Sequence, residues 1–168
     1  DLMQSIDYEI KQQTIAIRPL LSIEGIRFIF TSFVANFQGF GALAITFAAV
    51  DGPPALQAAL DLHGSAPYAA RVYRALGDLY VEKERYQDAA ESYRAYARRE
   101  PLDPEAALLL VRATEAYAKG GFASLVLDGK RELVEGYGPR SVFWAAYAPD
   151  VDAAVSAAVQ ATLLDLAR

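Results

Sequence analysis

The chain has 168 residues, the size of one ordinary domain or two small units, and its 54% hydrophobic and 22% charged content excludes a disordered chain. A net charge of -5 and the lack of any basic run exclude the electrostatic footprint of a nucleic-acid binder, so no nucleic-acid partner is predicted. With no cysteine and one histidine, His63, the composition excludes disulfides, thiolate nucleophiles and multi-histidine metal sites. No metal and no cofactor are predicted.

The first long feature is an uncharged run over residues 28–50, preceded by Arg27 at its edge. About 20 helical residues cross the hydrocarbon core of a bilayer, so the run predicts a transmembrane-type helix and membrane attachment through residues 26–50. Asn36 and Gln38 would each need a partner inside lipid. Asn36 is therefore the candidate intramembrane polar contact, through a hydrogen bond to another helix.

Two other interpretations of this run stay open. It could be a buried helix of a soluble protein, in which residues 28–50 pack over the rest of the chain. The small residues at 42–44 also resemble a signal-peptide cleavage site, but the leading segment is long and contains acidic residues. If the run spans a membrane, Lys11, Arg18 and Arg27 precede it and the next basic residue is Arg71, which predicts a cytoplasmic N-terminal side.

The first 50 residues also carry a family resemblance. Residues 14–50 resemble a segment of the p-aminobenzoyl-glutamate transporter family of bacterial inner-membrane proteins, through the motifs Leu20-Leu21-Ser22, Glu24-Gly25-Ile26-Arg27, Thr31-Ser32-Phe33 and Asn36-Phe37-x2-Phe40. The resemblance implies ion-driven transport of an aminobenzoyl-glutamate-like solute. A single span cannot form the multi-helix site that transport requires, so this chain is not expected to transport alone. The resemblance further implies a bacterial, membrane-associated location, and the distribution of basic residues would put the repeat module on the periplasmic side.

The chain changes character at Asp51-Gly52-Pro53-Pro54, where two prolines after a glycine disfavour helix. We therefore divide the chain into a membrane-type segment over 1–50, a linker and lead-in helix over 51–67, and a helical module over 68–168. The module has helical periodicity and no alternating strand pattern. The predicted fold class is all-α.

Residues 70–103 predict two helices joined by a polar turn at Glu82-Lys83-Glu84-Arg85. Their signature positions are Tyr73, Leu76, Gly77, Tyr80, Ala89, Tyr93 and Pro101. This pattern resembles the tetratricopeptide repeat of about 34 residues, with tyrosine in two places where the repeat usually has tryptophan and phenylalanine. An ordinary helical hairpin is the alternative.

A second, degenerate repeat is predicted over residues 103–138. Asp103 is placed as the N-cap of a helix that carries Leu108 and Val111 and ends at Gly120-Gly121. We expect the Gly121-Phe122 turn to correspond to Arg85-Tyr86, 36 residues earlier. After Gly138-Pro139, Ser141 is expected to cap a short helix, and a last helix with apolar residues 151, 155, 159, 163 and 166 is expected to cap the array.

The repeat resemblance implies a scaffold that binds a protein or peptide in the groove of its stacked helices, and it implies no catalysis. Candidate residues for pairing with an acidic peptide are Arg71, Arg74, Arg94, Arg98 and Arg99. Acidic neighbours such as Asp78 and Glu91 are also consistent with a solvated face. His63 lies near Asp61 and Ser65, but residues this close in sequence seldom supply triad geometry. No enzyme is predicted.

Two functional hypotheses follow. The first is a non-enzymatic, tetratricopeptide-like interaction scaffold attached to a membrane-type helix. The alternative is a transporter fragment joined to a repeat-protein fragment.

Overall fold

A computed structural model describes Ala48, residues 52–63 and residues 69–168. These residues form seven helices and no strand, so the all-α prediction is confirmed for the described part of the chain. The helices are α1 (Pro53–His63), α2 (Ala69–Glu82), α3 (Tyr86–Arg99), α4 (Pro104–Lys119), α5 (Ala123–Tyr137), α6 (Val142–Tyr147) and α7 (Ala153–Leu166).

The helices stack as consecutive hairpins. α2 packs on α3, α3 on α4 and α4 on α5, while α2 also contacts α4, and α1 contacts both α2 and α3. Small residues let the helix axes approach, because Ala89 and Ala90 of α3 and Ala106 and Ala107 of α4 are fully buried. Among like helices of successive hairpins, α1 contacts α3 and α2 contacts α4.

The two hairpin turns have the same geometry. Glu84 adopts a φ of 57° and is followed by Arg85, whose N–H donates to the Tyr80 carbonyl at 2.8 Å. Gly121 adopts a φ of 76°, and the N–H of Phe122 donates to the Tyr117 carbonyl at 3.0 Å. The Gly121-Phe122 turn thus corresponds to Glu84-Arg85, 37 residues earlier. The predicted correspondence with Arg85-Tyr86 was therefore wrong by one residue; α4 begins 35 residues after α2 and is two residues longer.

The Pro53-Pro54 pair begins a helix, whereas the sequence predicted a break there. Proline is tolerated in the first turn because those N–H groups have no partner within the helix. The chain turns just before, at Gly52, whose φ is 59°. Leu56 and Leu60 of α1 are fully buried in the common core, so α1 is an integral part of the stack.

The C-terminal helices close the other end of the stack. Ser141 and Asp152 cap α6 and α7 as their side chains accept N–H groups of the first helical turns. Val155 and Val159 of α7 are fully buried, and α7 packs on α4 and α5. Of the predicted apolar stripe, Val151 and Leu166 are half-buried and Leu163 is exposed.

Within the described residues, no helix has the length and apolar content needed to cross a membrane. The helix predicted over residues 26–50 lies outside these residues, except for Ala48. Ala48 is helical and packs against the hydrophobic core.

Candidate protein-interaction face

Four charged side chains of α2 and α4 form one surface, which we call the α2–α4 face. Arg74 and Asp78 are four residues apart on α2 and therefore lie on the same side of that helix. Glu105 and Arg112 are seven residues apart on α4, with the partly exposed Leu108 between them. The face therefore has an apolar side chain surrounded by charges of both signs.

The charges of this face are paired across the two helices. Arg74 forms an ion pair with Glu105, and Arg112 Nη1 lies 2.6 Å from Asp78 Oδ1. The four side chains remain 36–46% exposed. Exposed pairs of this kind contribute only about 0–1 kcal/mol each, so a bound partner can replace them at low cost.

Asp78 connects the face to the core. Besides Arg112, it accepts a hydrogen bond of 2.6 Å from the hydroxyl of Tyr93, which is buried between α2 and α3. Burial and the hydrogen bond to Asp78 raise the pKa of Tyr93, so its hydroxyl stays a donor. Burial disfavours the charged form of Arg112, but Asp78 and Tyr93 together outweigh it, and the pKa of Arg112 is raised. These contacts fix the position of Asp78 on the face.

The other arginines singled out in the sequence lie elsewhere. Arg94 joins α3 to α5, with Nη2 2.8 Å from Glu132. Arg98 pairs with Glu91 of its own helix. Arg99 pairs with Asp61 of α1, and its side chain is only 11% exposed.

Arg71 lies exposed on α2, one turn before Arg74. Of the five candidate arginines, only Arg71 and Arg74 lie on α2, one of the two helices that form the α2–α4 face. Arg112 belongs to the face as well, and the sequence reading missed it. Its seven-residue spacing from Glu105 was the available signal.

The repeat-signature residues form the contact between α2 and α3. Tyr73, Leu76, Tyr80, Ala89 and Tyr93 are buried there. A Cβ at Gly77 would overlap the Tyr93 ring, which explains why this position has no side chain. Pro101 follows the end of α3. These residues hold the helices together, and Asn36 lies outside the described part of the chain.

A second concave region, the α1–α3 cleft, lies on another side of the molecule. Its volume is about 360 Å³, and it is lined by Pro53, Pro54, Gln57, Glu91, Ala95, Arg98 and Arg99. Gln57 accepts a hydrogen bond from the Tyr73 hydroxyl and donates one to Asp61, both at 2.9 Å. Within the lining itself, Arg98 pairs with Glu91, while Gln57 and Arg99 both contact Asp61 beside the cleft.

The part of the chain that the structure describes has no candidate metal site. Among the side chains that the structure describes, no group of three or more acidic or other metal-binding residues is placed to hold a metal ion. His63 is the last residue of α1. The acidic residues of the α2–α4 face are each paired with an arginine.

Stacked helical hairpins with a close contact at Gly77 and buried tyrosines are features that can be compared with known families. A family model described as tetratricopeptide repeat matches residues 52–104 and 74–116. These residues are similar to tetratricopeptide repeats. Searches of curated proteins and of solved structures found no match, and no comparison found the aminobenzoyl-glutamate transporter family.

The tetratricopeptide match begins at Gly52 and therefore includes α1. In the sequence, Gly52, Ala55 and Pro67 precede Tyr86, Ala89 and Pro101 by 34 residues each. This period is the length of one repeat, about 34 residues, and it was the signal that α1 is the second helix of an earlier repeat. Neither match extends to α5, in line with a degenerate repeat over α4 and α5.

Proposed function

We propose that this chain is a non-enzymatic scaffold that binds a peptide segment of a partner protein on the α2–α4 face. Tetratricopeptide repeats suggest a protein-interaction scaffold, and proteins of this repeat family are generally not enzymes. The observation that supports binding on the α2–α4 face is the set of exposed ion pairs around Leu108, which a partner can replace with contacts of its own. Such a surface offers directional polar contacts beside one apolar contact, as interfaces do.

The contacts of each arginine decide which ones we assign to partner binding. Arg94 and Arg99 connect α3 to neighbouring helices, so their loss would weaken the stack itself. Arg98 pairs within α3 and lines the α1–α3 cleft. We therefore assign partner binding to Arg74 and Arg112, with Arg71 at the edge of the same face.

A peptide-display experiment tests this assignment. A random library of 12-residue peptides is selected on the full chain, and the enriched peptides are titrated against variants. Replacing Arg74→Ala and Arg112→Ala together should weaken binding about tenfold or more, since contacts to charged groups contribute about 1.5–3 kcal/mol. The matched control is Arg131→Ala, which removes an exposed guanidinium of α5 and should leave the affinity unchanged.

Two outcomes would contradict the proposal. If no peptide is enriched, peptide binding itself fails. If Arg98→Ala abolishes binding while the double variant has no effect, the partner binds in the α1–α3 cleft instead.

Attachment to a bacterial membrane through residues 26–50 is a separate proposal that rests on the uncharged run 28–50. It would put the repeats on the periplasmic side. Ala48, which packs against the core, favours the alternative in which this segment covers the repeats. Flotation of the full chain with lipid vesicles separates the two: co-flotation that resists alkaline carbonate supports the membrane proposal, and a chain that remains in the dense fraction contradicts it.

The transporter-fragment alternative rests on residues 14–50, and a fragment of this kind is not expected to transport. Uptake of an aminobenzoyl-glutamate solute into vesicles that contain only this chain would overturn that expectation.

A further inference from the structure

We infer that the partner segment carries an acidic and a basic residue two to four positions apart, and that a segment of one charge sign is rejected. This inference deepens the proposed function and rests on it. It names the chemistry of the peptide that the α2–α4 face selects.

The order of charges on the face supports this inference. Along α2 the cation Arg74 precedes the anion Asp78, whereas along α4 the anion Glu105 precedes the cation Arg112. The two ion pairs that join these helices therefore have opposite polarity. A bound segment therefore meets both charge signs on either helix, four residues apart on α2 and seven residues apart on α4.

The spacing of these charges sets the spacing in the partner. Four residues of α-helix rise about 6 Å, which separates Arg74 from Asp78 along α2. Two residues of an extended segment span about 7 Å, and four residues of a helical segment span about 6 Å. An acid and a base at these separations can reach Arg74 and Asp78 together.

Charge balance argues against a segment of one sign. The four residues of the face sum to zero, with two arginines and two carboxylates. Exposed charges beyond them on the same helices are also balanced, since Arg71 and Glu82 lie on α2 and Glu115 and Lys119 on α4. A polyacidic segment would place carboxylates against Asp78 and Glu105, and like-charge contacts of this kind suppress wrong partners.

The test exchanges one ion pair without removing it. Arg74→Glu combined with Glu105→Arg keeps a pair between α2 and α4 but makes α2 acidic and α4 basic at the face. Peptides selected on the unmodified full chain should bind this variant about tenfold or more weakly. The matched control exchanges Asp128 and Arg131 (Asp128→Arg with Arg131→Asp), an exposed pair within α5, and should bind with unchanged affinity.

A second series of measurements changes only the peptide, so that it does not depend on the folding of a variant. Replacing either the acidic or the basic residue of a selected peptide with glutamine should lower its affinity about tenfold, and exchanging the two should do the same. Thermal unfolding followed by circular dichroism checks that the variants fold.

The outcomes separate this inference from the proposed function. Selected peptides that are purely acidic, or that tolerate neutralisation of either charge, overturn the inference while peptide binding on the face stands. Failure to select any peptide overturns the proposed function and the inference together.

Discussion

At the residue scale, the contact between α2 and α3 depends on the absence of a side chain at Gly77. The ring of Tyr93 lies where a Cβ would be, and this ring is buried and hydrogen bonded to Asp78. The ring cannot move aside without losing that hydrogen bond. Close approach of the two helices thus requires glycine here.

We predict that Gly77→Ala lowers the free energy of unfolding by about 1–3 kcal/mol, because overpacking outweighs the better helix propensity of alanine. Gly136→Ala on α5 is the matched control. No atom lies within 4 Å of a Cβ there, so this variant should be neutral or up to about 1 kcal/mol more stable. Urea unfolding measures both, and a Gly77→Ala variant as stable as the original chain would contradict the packing described.

Because several tyrosines are buried, the free energy of unfolding should fall at high pH. Burial raises the pKa of Tyr137, and likewise that of Tyr73, to about 12. The unfolded pKa is about 10, so the folded chain prefers the protonated phenols. Their contribution is complete below about pH 10 and is lost as the pH rises towards about 12.

The urea midpoint should therefore fall between pH 10 and pH 12, while tyrosinate absorbance rises together with unfolding. Tyr137→Phe should lose less stability over this range than the original chain, because it has one fewer phenol to ionise. Equal pH slopes for the two chains would contradict the burial of this hydroxyl.

Among the arginines of the α2–α4 face, one was named from the sequence and another was not. Gly77 was part of the predicted repeat signature and Arg74 was one of five candidate arginines, and the structure places both where α2 meets its neighbours. Arg112 was not predicted, because its place on the face depends on pairing with Asp78, 34 positions away in the sequence. That separation is one repeat length, about 34 residues, so the repeat period was a signal that the prediction did not use.

At the scale of elements, the starts of α4 and α6 were predictable because capping is a local interaction. Asp103 was predicted as the N-cap of α4, and its Oδ1 accepts the N–H of Glu105 at 2.9 Å. Its other oxygen accepts the hydroxyl of Tyr96, which the sequence did not indicate. One carboxylate thus caps α4 and ties it to α3.

We predict that Asp103→Ala destabilises the chain by about 2–3 kcal/mol, as it removes the cap and leaves the Tyr96 hydroxyl without its acceptor. Asp152→Ala, which removes a cap of the same kind from α7, should cost about 1 kcal/mol. The loss of stability for Asp103→Asn should lie between the losses for these two alanine variants. The measurement is the urea midpoint, and equal losses for the two alanine variants would show that the Tyr96 contact contributes nothing.

The start of α1 was the element that sequence reasoning misjudged. Pro53 and Pro54 break a helix in its interior but fit its first turn, and the local sequence cannot distinguish the two positions. Burial of Leu56 and Leu60 resolved the ambiguity, since it depends on contacts with α2 and α3. The repeat period from Gly52 to Tyr86 carried the same information.

At the scale of the whole molecule, some ion pairs join neighbouring helices, whereas others lie on the exposed α2–α4 face. Pairs such as Arg94–Glu132 and Arg99–Asp61 join α1, α3 and α5, while the α2–α4 face has exposed pairs around Leu108. Repeat arrays are stabilised by contacts between neighbouring repeats. The residues of an exposed face can therefore differ according to the partner that binds there. Which face binds is the central claim of this account.

The most direct measurement maps amide chemical shifts of the ¹⁵N-labelled full chain while the tightest selected peptide is added. We predict shifts that cluster on α2 and α4 around Arg74, Leu108 and Arg112. Shifts concentrated on Gln57 and Ala95 of the α1–α3 cleft, with α4 unchanged, would contradict the account.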